Sequence, residues 1–208
     1  MLALFCGLAP IPTAFARGQD STAGVFDYYI LALSWSPAYC ELKPDDRSQC
    51  GHRRYAFIVH GLWPQYRAGG YPERCAAPPP PRAVVHRALA FMPSEALIRH
   101  EWRRHGGCSG LSPRDYFLAT EQAFSAVNIP SLFRAEPIPQ HLTAQAIVRA
   151  FVASNPGLTP QRVALQCRGP ELEEVRICLS RSDLSPVDCG RGVKTHCRRG
   201  PIQIRPVR

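Results

Sequence analysis

The stretch YAFIVHGLWP, residues 55–64, is predicted to be a β-strand that carries a histidine near its end. Aromatic and β-branched residues fill its first half, and Gly61 and Pro64 are typical of residues that end a strand. A histidine where a strand meets its loop is well placed for chemistry, because the sheet fixes the residue while one side of the ring stays open. His60 is therefore a candidate functional residue. The alternative is an ordinary hydrogen-bonded histidine at a strand end.

The segments around this strand predict a single α+β domain. VFDYYILALSW (25–35) is a second strand candidate, and Pro37 is expected to stop it. Helical spacing, N-cap residues and a first-turn proline predict four helices in the middle of the chain, at residues 82–91, 95–105, 113–127 and 143–153. Three strands are predicted in the last quarter, at RVALQC (162–167), EVRICLS (174–180) and PIQIRPV (201–207). Helices grouped between two sets of strands are typical of the α+β class.

The composition and charge favour an anionic partner. The chain has 208 residues, enough for one substantial domain, and 45% of them are hydrophobic, enough for a core. Its formal net charge is +9 and its pI is about 9.4, which favours nucleic acid, polyphosphate or a membrane surface as the partner. Only Lys43 and Lys194 are lysines, and the arginines that supply the other positive charges suit bidentate contacts to phosphate. A basic surface that serves solubility is the alternative.

The N-terminus is predicted to be a secretory signal peptide, residues 1–16, which leaves an exported domain at residues 17–208. The short apolar run LALFCGLAP precedes an A-x-A sequence at residues 14–16. A buried first strand is the competing interpretation. No later apolar stretch is long enough to span a membrane, so no membrane contact is expected after cleavage.

The cysteine count agrees with export. Removal of Cys6 would leave an even number of cysteines, which predicts disulfides whose pairing the residues alone leave open. Metal ligation is the other common use of cysteine. The sequence contains no C-x-x-C pair, which disfavours a zinc ribbon.

The stretch HEWRRHGGC, residues 100–108, is similar to a zinc-hydrolase motif but has the wrong spacing for one. The two histidines of H-E-x-x-H lie one helical turn apart and bind a single ion, whereas His100 and His105 diverge by about 140° on a helix. Arg104, at the i+4 position, would also repel a metal cation. The predicted helix instead presents two imidazoles, the Glu101 carboxylate and the Arg104 guanidinium on one face. Imidazole can act as acid or base near neutral pH, so this set suits proton transfer.

Two segments resemble the active-site motifs of a known family. FIVHGLWPQY (57–66) and HEWRRHGGC resemble the HGLWP and HEWxKHGxC segments of the ribonuclease T2 family, in the same order. LALSWSPAYC (31–40) and QCRGPELEEVRICLS (166–180) are similar to the first strand and the C-terminal strands of that family. The resemblance implies one domain with a central, mainly antiparallel sheet and helices packed around it. It also implies the disulfides Cys40–Cys50, Cys75–Cys108, Cys167–Cys197 and Cys178–Cys189.

The resemblance further implies a metal-independent endoribonuclease that cleaves single-stranded RNA with broad base tolerance. The ribose 2′-OH attacks the adjacent phosphorus, and the product carries a 2′,3′-cyclic phosphate. Position for position, His105 would be the general base and His60 the general acid. Glu101 and Arg104 would support the phosphorane, and His100 would hold the phosphate. Arg104 stands where the family usually has lysine, which changes a point donor into a planar fork. No metal and no cofactor are required.

Other residues in and near the two motifs also receive assignments. Trp63 matches a family tryptophan beside the base-binding pocket, where a ring can stack on a base, and core packing is its alternative role. Gln65 falls where some members read the base with a polar side chain. Trp102 is expected in the core and Arg103 on the solvated surface. Four histidines are expected to be surface or hydrogen-bonded residues: His52, His86, His141 and His196.

The expected protein is therefore a periplasmic or secreted ribonuclease that acts as a monomer on RNA. The alternative from another functional class is an exported basic protein that binds RNA or another polyanion without cleaving it. The joint presence of His60, Glu101 and His105 disfavours that alternative, because a binding protein needs charge but not an acid–base pair.

Overall fold

A six-stranded sheet forms the centre of the structure. The computed structural model describes residues 21–134 and 140–207, so the predicted signal peptide, residues 1–16, lies outside the described residues. The strands run from β1 to β6 in chain order: Tyr28–Trp35, Phe57–Gln65, Gln140–Leu142, Val163–Arg168, Glu171–Ser180 and Ile202–Ile204. Their spatial order is β2-β1-β5-β6-β3, and β4 also pairs with β5. Every pairing is antiparallel except the short contact between β5 and β6, which confirms the mainly antiparallel sheet and the α+β class.

Helices occupy the middle of the chain, as predicted. The helices α1 to α6 of the described residues are Ser36–Leu42, Arg47–Cys50, Arg82–Ala88, Glu95–Arg104, Pro113–Ser125 and Ala144–Ser154. Ser94, Ser112 and Thr143 cap α4, α5 and α6, because each side-chain oxygen accepts a hydrogen bond from a backbone N–H in the first turn. No helix within residues 21–134 and 140–207 is long and apolar enough to cross a membrane.

The helices α1 and α2 and the strand β3 were not predicted from the sequence. Pro37 does end β1, but it also occupies the first turn of α1, where a missing backbone N–H costs nothing. The one-turn helix α2 depends on Asp46, whose side chain accepts from Ser48 N. The strand β3 has only three residues, too few to leave a periodic pattern.

The two faces of the sheet are covered by different parts of the chain. Alternate side chains of β1 point to opposite faces. One set joins apolar side chains of α3 to α6 in the main core and comprises Tyr29, Leu31, Leu33 and Trp35. The other set forms a smaller cluster with Trp63 and part of the irregular C-terminal segment, and the cluster comprises Tyr28, Ile30, Ala32, Cys178, Val187, Cys189 and Val193. The candidate site lies on this second face.

Candidate active site

His60 lies at a β-bulge inside β2. In the antiparallel pair with β1, Ala32 faces Gly61 and Leu33 faces Val59, so His60 has no partner across the ladder. The prediction that His60 stands where a strand meets its loop is therefore wrong, because the strand continues beyond it to residue 65. A bulge aims an unpaired side chain away from the regular pleat, and here it supplies the accessibility that a strand end was expected to supply.

The bulge also decides which side chains of β2 reach the site. Because the bulge adds one residue, each later side chain of β2 points to the face opposite the one that regular alternation would give it. Val59 packs in the main core, whereas Trp63, an even number of positions later, joins the cluster on the opposite face. Pro64 fits inside this strand because β2 lies at the edge of the sheet, where one side of the backbone makes no ladder hydrogen bonds.

His105 lies just beyond the end of α4 and not within it. The helix ends at Arg104, and His105 has φ −125° and ψ −49°. The helical-wheel placement of His105 is therefore corrected, although the residue does face the site. The cause is Gly106, where a Cβ would lie 2.7 Å from Trp102 Cε3 and 2.9 Å from Tyr116 Cε1. Only glycine allows the chain to turn this closely against the core.

Disulfides connect the segments that carry the site. The structure contains the bridges Cys40–Cys50, Cys75–Cys108, Cys167–Cys197 and Cys178–Cys189, which is the pairing that the family resemblance implies. Arg74 N donates to Arg104 O at 2.8 Å, next to the Cys75–Cys108 bridge. The loop that follows β2 is thereby fixed to the end of α4. Removal of such a bridge typically costs about 2–5 kcal/mol of stability.

A cavity of about 420 Å³ contains all of the site residues predicted from the sequence. They are His60, Trp63, Gln65, His100, Glu101, Arg104 and His105. The cavity walls also include Tyr71 and Arg176, which sequence reasoning missed, and the backbone of the C-terminal segment at Gly192. The two motifs therefore meet in one place.

His60 is held between two carboxylates. Its Nδ1 donates to Glu174 Oε2 at 2.8 Å, and its Nε2 lies 3.5 Å from Glu101 Oε1. The His60 side chain keeps 39% of its surface exposed, while Glu101 keeps 2%. The Nδ1 contact fixes the orientation of the ring, so Nε2 is the nitrogen that faces the cavity.

The small side chains of β1 make the contact with Glu174 possible. Glu174 lies on β5, and β1 separates it from β2 in the sheet. Ser34 faces Glu174 across the ladder and Ala32 faces Arg176. Since neither side chain of β1 is large, His60 and Glu174 can meet above the strand between them.

Glu174 controls the charge of His60. Burial alone lowers the pKa of His60, but the hydrogen bond and charge of Glu174, followed by the charge of Glu101, outweigh it and raise the pKa above its ordinary value. Burial likewise raises the pKa of Glu174, yet the hydrogen bond from His60 and the charge of Arg176 prevail and lower it. At neutral pH the Glu174 carboxylate is ionised, and it favours the protonated form of the imidazole.

His105 has the opposite tendency. Burial, and after it the charges of Arg104, His60 and His100, lower the pKa of His105 to about 3. Its Nδ1 is buried without a hydrogen-bond partner among the residues that the structure describes. His105 is therefore neutral over the whole physiological range. One cavity thus contains a histidine that favours the protonated state and a histidine that favours the neutral state.

Trp63 connects the two imidazoles. Its ring centroid lies 5.1 Å from that of His60 and 5.3 Å from that of His105. Its Nε1 donates to Glu101 Oε2 at 2.7 Å, and the guanidinium carbon of Arg176 lies 5.2 Å from its ring. Only 8% of Trp63 is exposed. Its ring therefore holds other members of the site in position and offers little free surface.

Arg104 and His100 line another part of the cavity wall. Arg104 Nη2 donates to Tyr71 Oη at 3.1 Å and lies 3.1 Å from Glu73 Oε2. The Tyr71 ring lies 5.4 Å from that of His105. The exposed His100 has its Nε2 4.0 Å from Glu101 Oε1. This wall supplies positive charge next to an accessible aromatic ring.

Residues outside the cavity lie in the core or on the surface as predicted. Trp102 is 1% exposed, and its Nε1 donates to Pro78 O at 2.8 Å, so it belongs to the core as expected. Arg103 is exposed. The four histidines that received no role are also exposed: His52, His86, His141 and His196.

The missed residues had a weak signal in the sequence. Glu174 and Arg176 are two positions apart in a predicted strand, which places both side chains on one face, but a charged pair on a strand usually faces solvent. Tyr71 follows two glycines in a segment without periodic structure. Nothing in the sequence alone places Tyr71 beside α4.

Comparison with known proteins identifies related chains of similar length. The model of the ribonuclease T2 family matches residues 26–189. A ribonuclease of Aeromonas hydrophila is 37% identical over 206 residues, which cover 93% of this chain and 90% of that protein. Ribonuclease DdI of Dictyostelium discoideum is 27% identical and covers 82% of this chain and 81% of its own length.

Solved structures share the fold. The S-like ribonuclease trichomaglin superimposes with a TM-score of 0.70 at 20% identity, over 88% of this chain and all (100%) of that one. A mutant of RNase MC1 in complex with 5′-UMP superimposes with a TM-score of 0.67 at 22% identity, over 86% of this chain and 97% of that one.

Proposed function

Because the chain belongs to the ribonuclease T2 family, and is accordingly a ribonuclease, we propose that it cleaves single-stranded RNA by intramolecular attack of a ribose 2′-OH. The observation that carries this proposal is the pair of histidines with opposite proton preferences in one cavity. Attack by the 2′-OH requires a group that takes a proton and another that gives one to the leaving 5′-oxygen. The products are a 5′-OH and a 2′,3′-cyclic phosphate, and neither step needs a metal ion.

His105 is the general base in this mechanism and His60 is the general acid. The low pKa of His105 keeps the imidazole neutral and able to accept the 2′-OH proton. The raised pKa of His60 keeps its Nε2 protonated and able to protonate the leaving oxygen. Glu174 acts through His60 and is a positioning residue. The assignment follows the principle that an environment which separates two pKa values also separates the roles of acid and base.

Charge that develops on the phosphorane meets several positive or donor groups. Glu101 lies between His60 and His100 in the cavity, where burial raises its pKa, and its contact with His60 keeps that ring turned toward the phosphate. His100 holds a phosphate oxygen, and Arg104 contributes its charge while Tyr71 and Glu73 hold its guanidinium. Oriented donors of this kind are typically worth several kcal/mol each in the transition state.

The base of the substrate nucleotide is proposed to lie on Tyr71, with the Gln65 amide at its edge. Tyr71 is 41% exposed, whereas Trp63 is 8% exposed and carries Arg176 over its ring. Stacking on an exposed aromatic ring requires a base that has left a helix, which favours single-stranded RNA. Trp63 is proposed to position Glu101 and to line the base pocket rather than to carry the base.

The proposed setting is an oxidising compartment outside the cytoplasm, where the protein acts as a monomer on RNA. The four disulfides support this setting, because such bridges persist in periplasmic and extracellular proteins. The predicted signal peptide, residues 1–16, agrees with it.

Incubation with single-stranded RNA in excess EDTA tests the proposed function. We expect full cleavage, with 2′,3′-cyclic phosphate and 5′-OH ends that mass spectrometry of the fragments identifies. Matched strands of 2′-O-methyl RNA or DNA should stay intact, because they lack the nucleophile. Intact RNA under all conditions would support a polyanion-binding protein instead, and cleavage that EDTA abolishes would support a metal-dependent hydrolase.

The pH dependence follows from the two shifted histidines. Activity needs neutral His105 and protonated His60, so kcat/KM should fall only when pH rises above the raised pKa of His60 or drops toward about 3, where His105 gains a proton. We expect a plateau between these two pKa values and a tenfold loss per pH unit above that of His60. Initial rates on a dinucleoside monophosphate measure this profile. A narrow bell with its acid limb near pH 6.5 would show that His105 keeps an ordinary pKa.

A further inference from the structure

A second depression adjoins the catalytic cavity. It has a volume of about 470 Å³ and shares His100 and Arg104 with that cavity. Arg74 and Arg103 stand on its other walls, and the remaining lining is small or apolar. No carboxylate lines it within the described part of the chain. This groove, defined by Arg74, His100, Arg103 and Arg104, is therefore a continuous extension of the site that contains three guanidiniums.

Arg74 has a fixed and unusual backbone conformation. Its φ is 58°, in the left-handed region that side chains other than glycine and asparagine rarely adopt. Its N–H donates to Arg104 O at 2.8 Å, and the next residue is tied to Cys108 by a disulfide. A conformation that costs free energy and is held by its surroundings often belongs to a functional site. Here this backbone conformation fixes the start of the Arg74 side chain next to the end of α4.

The charges of this groove are available to a ligand. Arg104 pairs with Glu73, and arginines elsewhere in the structure pair with carboxylates in the same way. Arg74 and Arg103 are exposed, and neither makes an ion pair with any of the described residues. Two exposed guanidiniums beside a third, with no acidic neighbour in the groove, favour the binding of an anion with several oxygens.

We propose that this groove binds a phosphate of the RNA backbone outside the scissile bond, with Arg74 and Arg103 as its ligands. The inference rests on the proposed function, because the groove continues from the cavity that receives the scissile phosphate. The contact is made to the backbone and not to a base, so it strengthens binding of any sequence. The contribution of this contact depends instead on the length of the RNA, because a substrate with a single phosphate does not reach the groove.

Substrates of defined length test the groove. A dinucleoside monophosphate carries only the scissile phosphate. A DNA strand with one ribonucleotide is cleaved only at that nucleotide, and the flanking DNA supplies additional phosphates on its 5′ or 3′ side. We expect Arg74→Ala combined with Arg103→Ala to leave kcat/KM for the dinucleotide unchanged and to lower it about tenfold for a strand extended on one side. The 5′-extended and 3′-extended strands show which side the groove serves. Arg149→Ala, an exposed arginine outside both cavities, is the matched control and should change neither rate.

Binding measured without cleavage separates this inference from the proposed function. A fluorescent 2′-O-methyl RNA strand resists 2′-OH attack, and its affinity can be followed by anisotropy as salt is varied. The slope of log affinity against log salt should become shallower in the double variant by about 0.7 for each phosphate that the groove no longer binds. Equal losses on dinucleotide and extended strands, or no loss on either with an unchanged slope, would overturn the proposed groove. Failure of the unmodified protein to cleave even the dinucleotide would overturn the proposed function while the salt slope still tested the groove.

Discussion

Replacement of His105 or His60 with alanine is expected to lower kcat/KM for RNA by about 10²–10⁴-fold, the usual contribution of a well-placed acid or base. The two losses have different causes. Without His105 no neutral imidazole takes the 2′-OH proton, and without His60 no protonated imidazole supplies the leaving 5′-oxygen. Affinity for a non-cleavable strand should change far less than the rate, since most of the charge and stacking that bind RNA come from other residues.

A substrate with a better leaving group distinguishes the two roles. In uridine 3′-(p-nitrophenyl phosphate), p-nitrophenolate leaves without a proton, so the acid has nothing to contribute while the base is still needed. We expect His60→Ala to cleave this substrate at nearly the unmodified rate and His105→Ala to remain strongly impaired. His86 is exposed and does not line the cavity, so His86→Ala serves as the control and should leave both rates unchanged. The reverse pattern would mean that acid and base are exchanged, and full activity of either variant on RNA would falsify the histidine pair.

The positions of the two motifs could be predicted from the sequence, but the local geometry that makes them a site could not. His60 was assigned to the right segment for the wrong reason. Its accessibility comes from a bulge, and a bulge in a strand that continues on both sides leaves no sequence signal except a glycine at Gly61. The same limit applies to His105, where the end of α4 depends on the contact of Gly106 with Trp102.

Contacts between residues distant in sequence explain the remaining omissions. Glu174 is 114 positions from His60, and their contact depends on small residues in the strand between them. Arg104 was expected at the phosphate because of its place in the motif. Its contacts with Tyr71 and Glu73 come from a loop that has no periodic pattern. Periodicity and spacing can predict elements and motifs, whereas a side chain that positions another across a sheet becomes visible only with the tertiary structure.

A substitution at Glu174 tests whether its charge raises the pKa of His60. In Glu174→Gln, the amide oxygen can still accept the hydrogen bond from His60 Nδ1, but the negative charge is removed. That charge is a main reason for the raised pKa of His60, so the pKa should fall and the alkaline limb of kcat/KM should move to lower pH. Above the pKa of His60 in both the unmodified protein and the variant, we expect a tenfold loss of activity for each pH unit by which this pKa falls. On the acidic plateau we expect little loss. Initial rates across the pH range measure the limb directly.

Two further variants separate positioning from stability. Glu174→Ala removes the hydrogen bond as well as the charge and leaves Arg176 without its partner, so its rate should fall at every pH and not only on the alkaline side. Glu173→Gln, one position away on the same strand, removes a carboxylate that pairs with Arg168 and should leave the limb unchanged. A role in folding alone would lower the rate of Glu174→Gln only where circular dichroism shows loss of folded protein, because folding stability also depends on pH. A moved limb in a variant that stays folded across the same pH range requires that the carboxylate on β5 sets the proton affinity of the imidazole on β2.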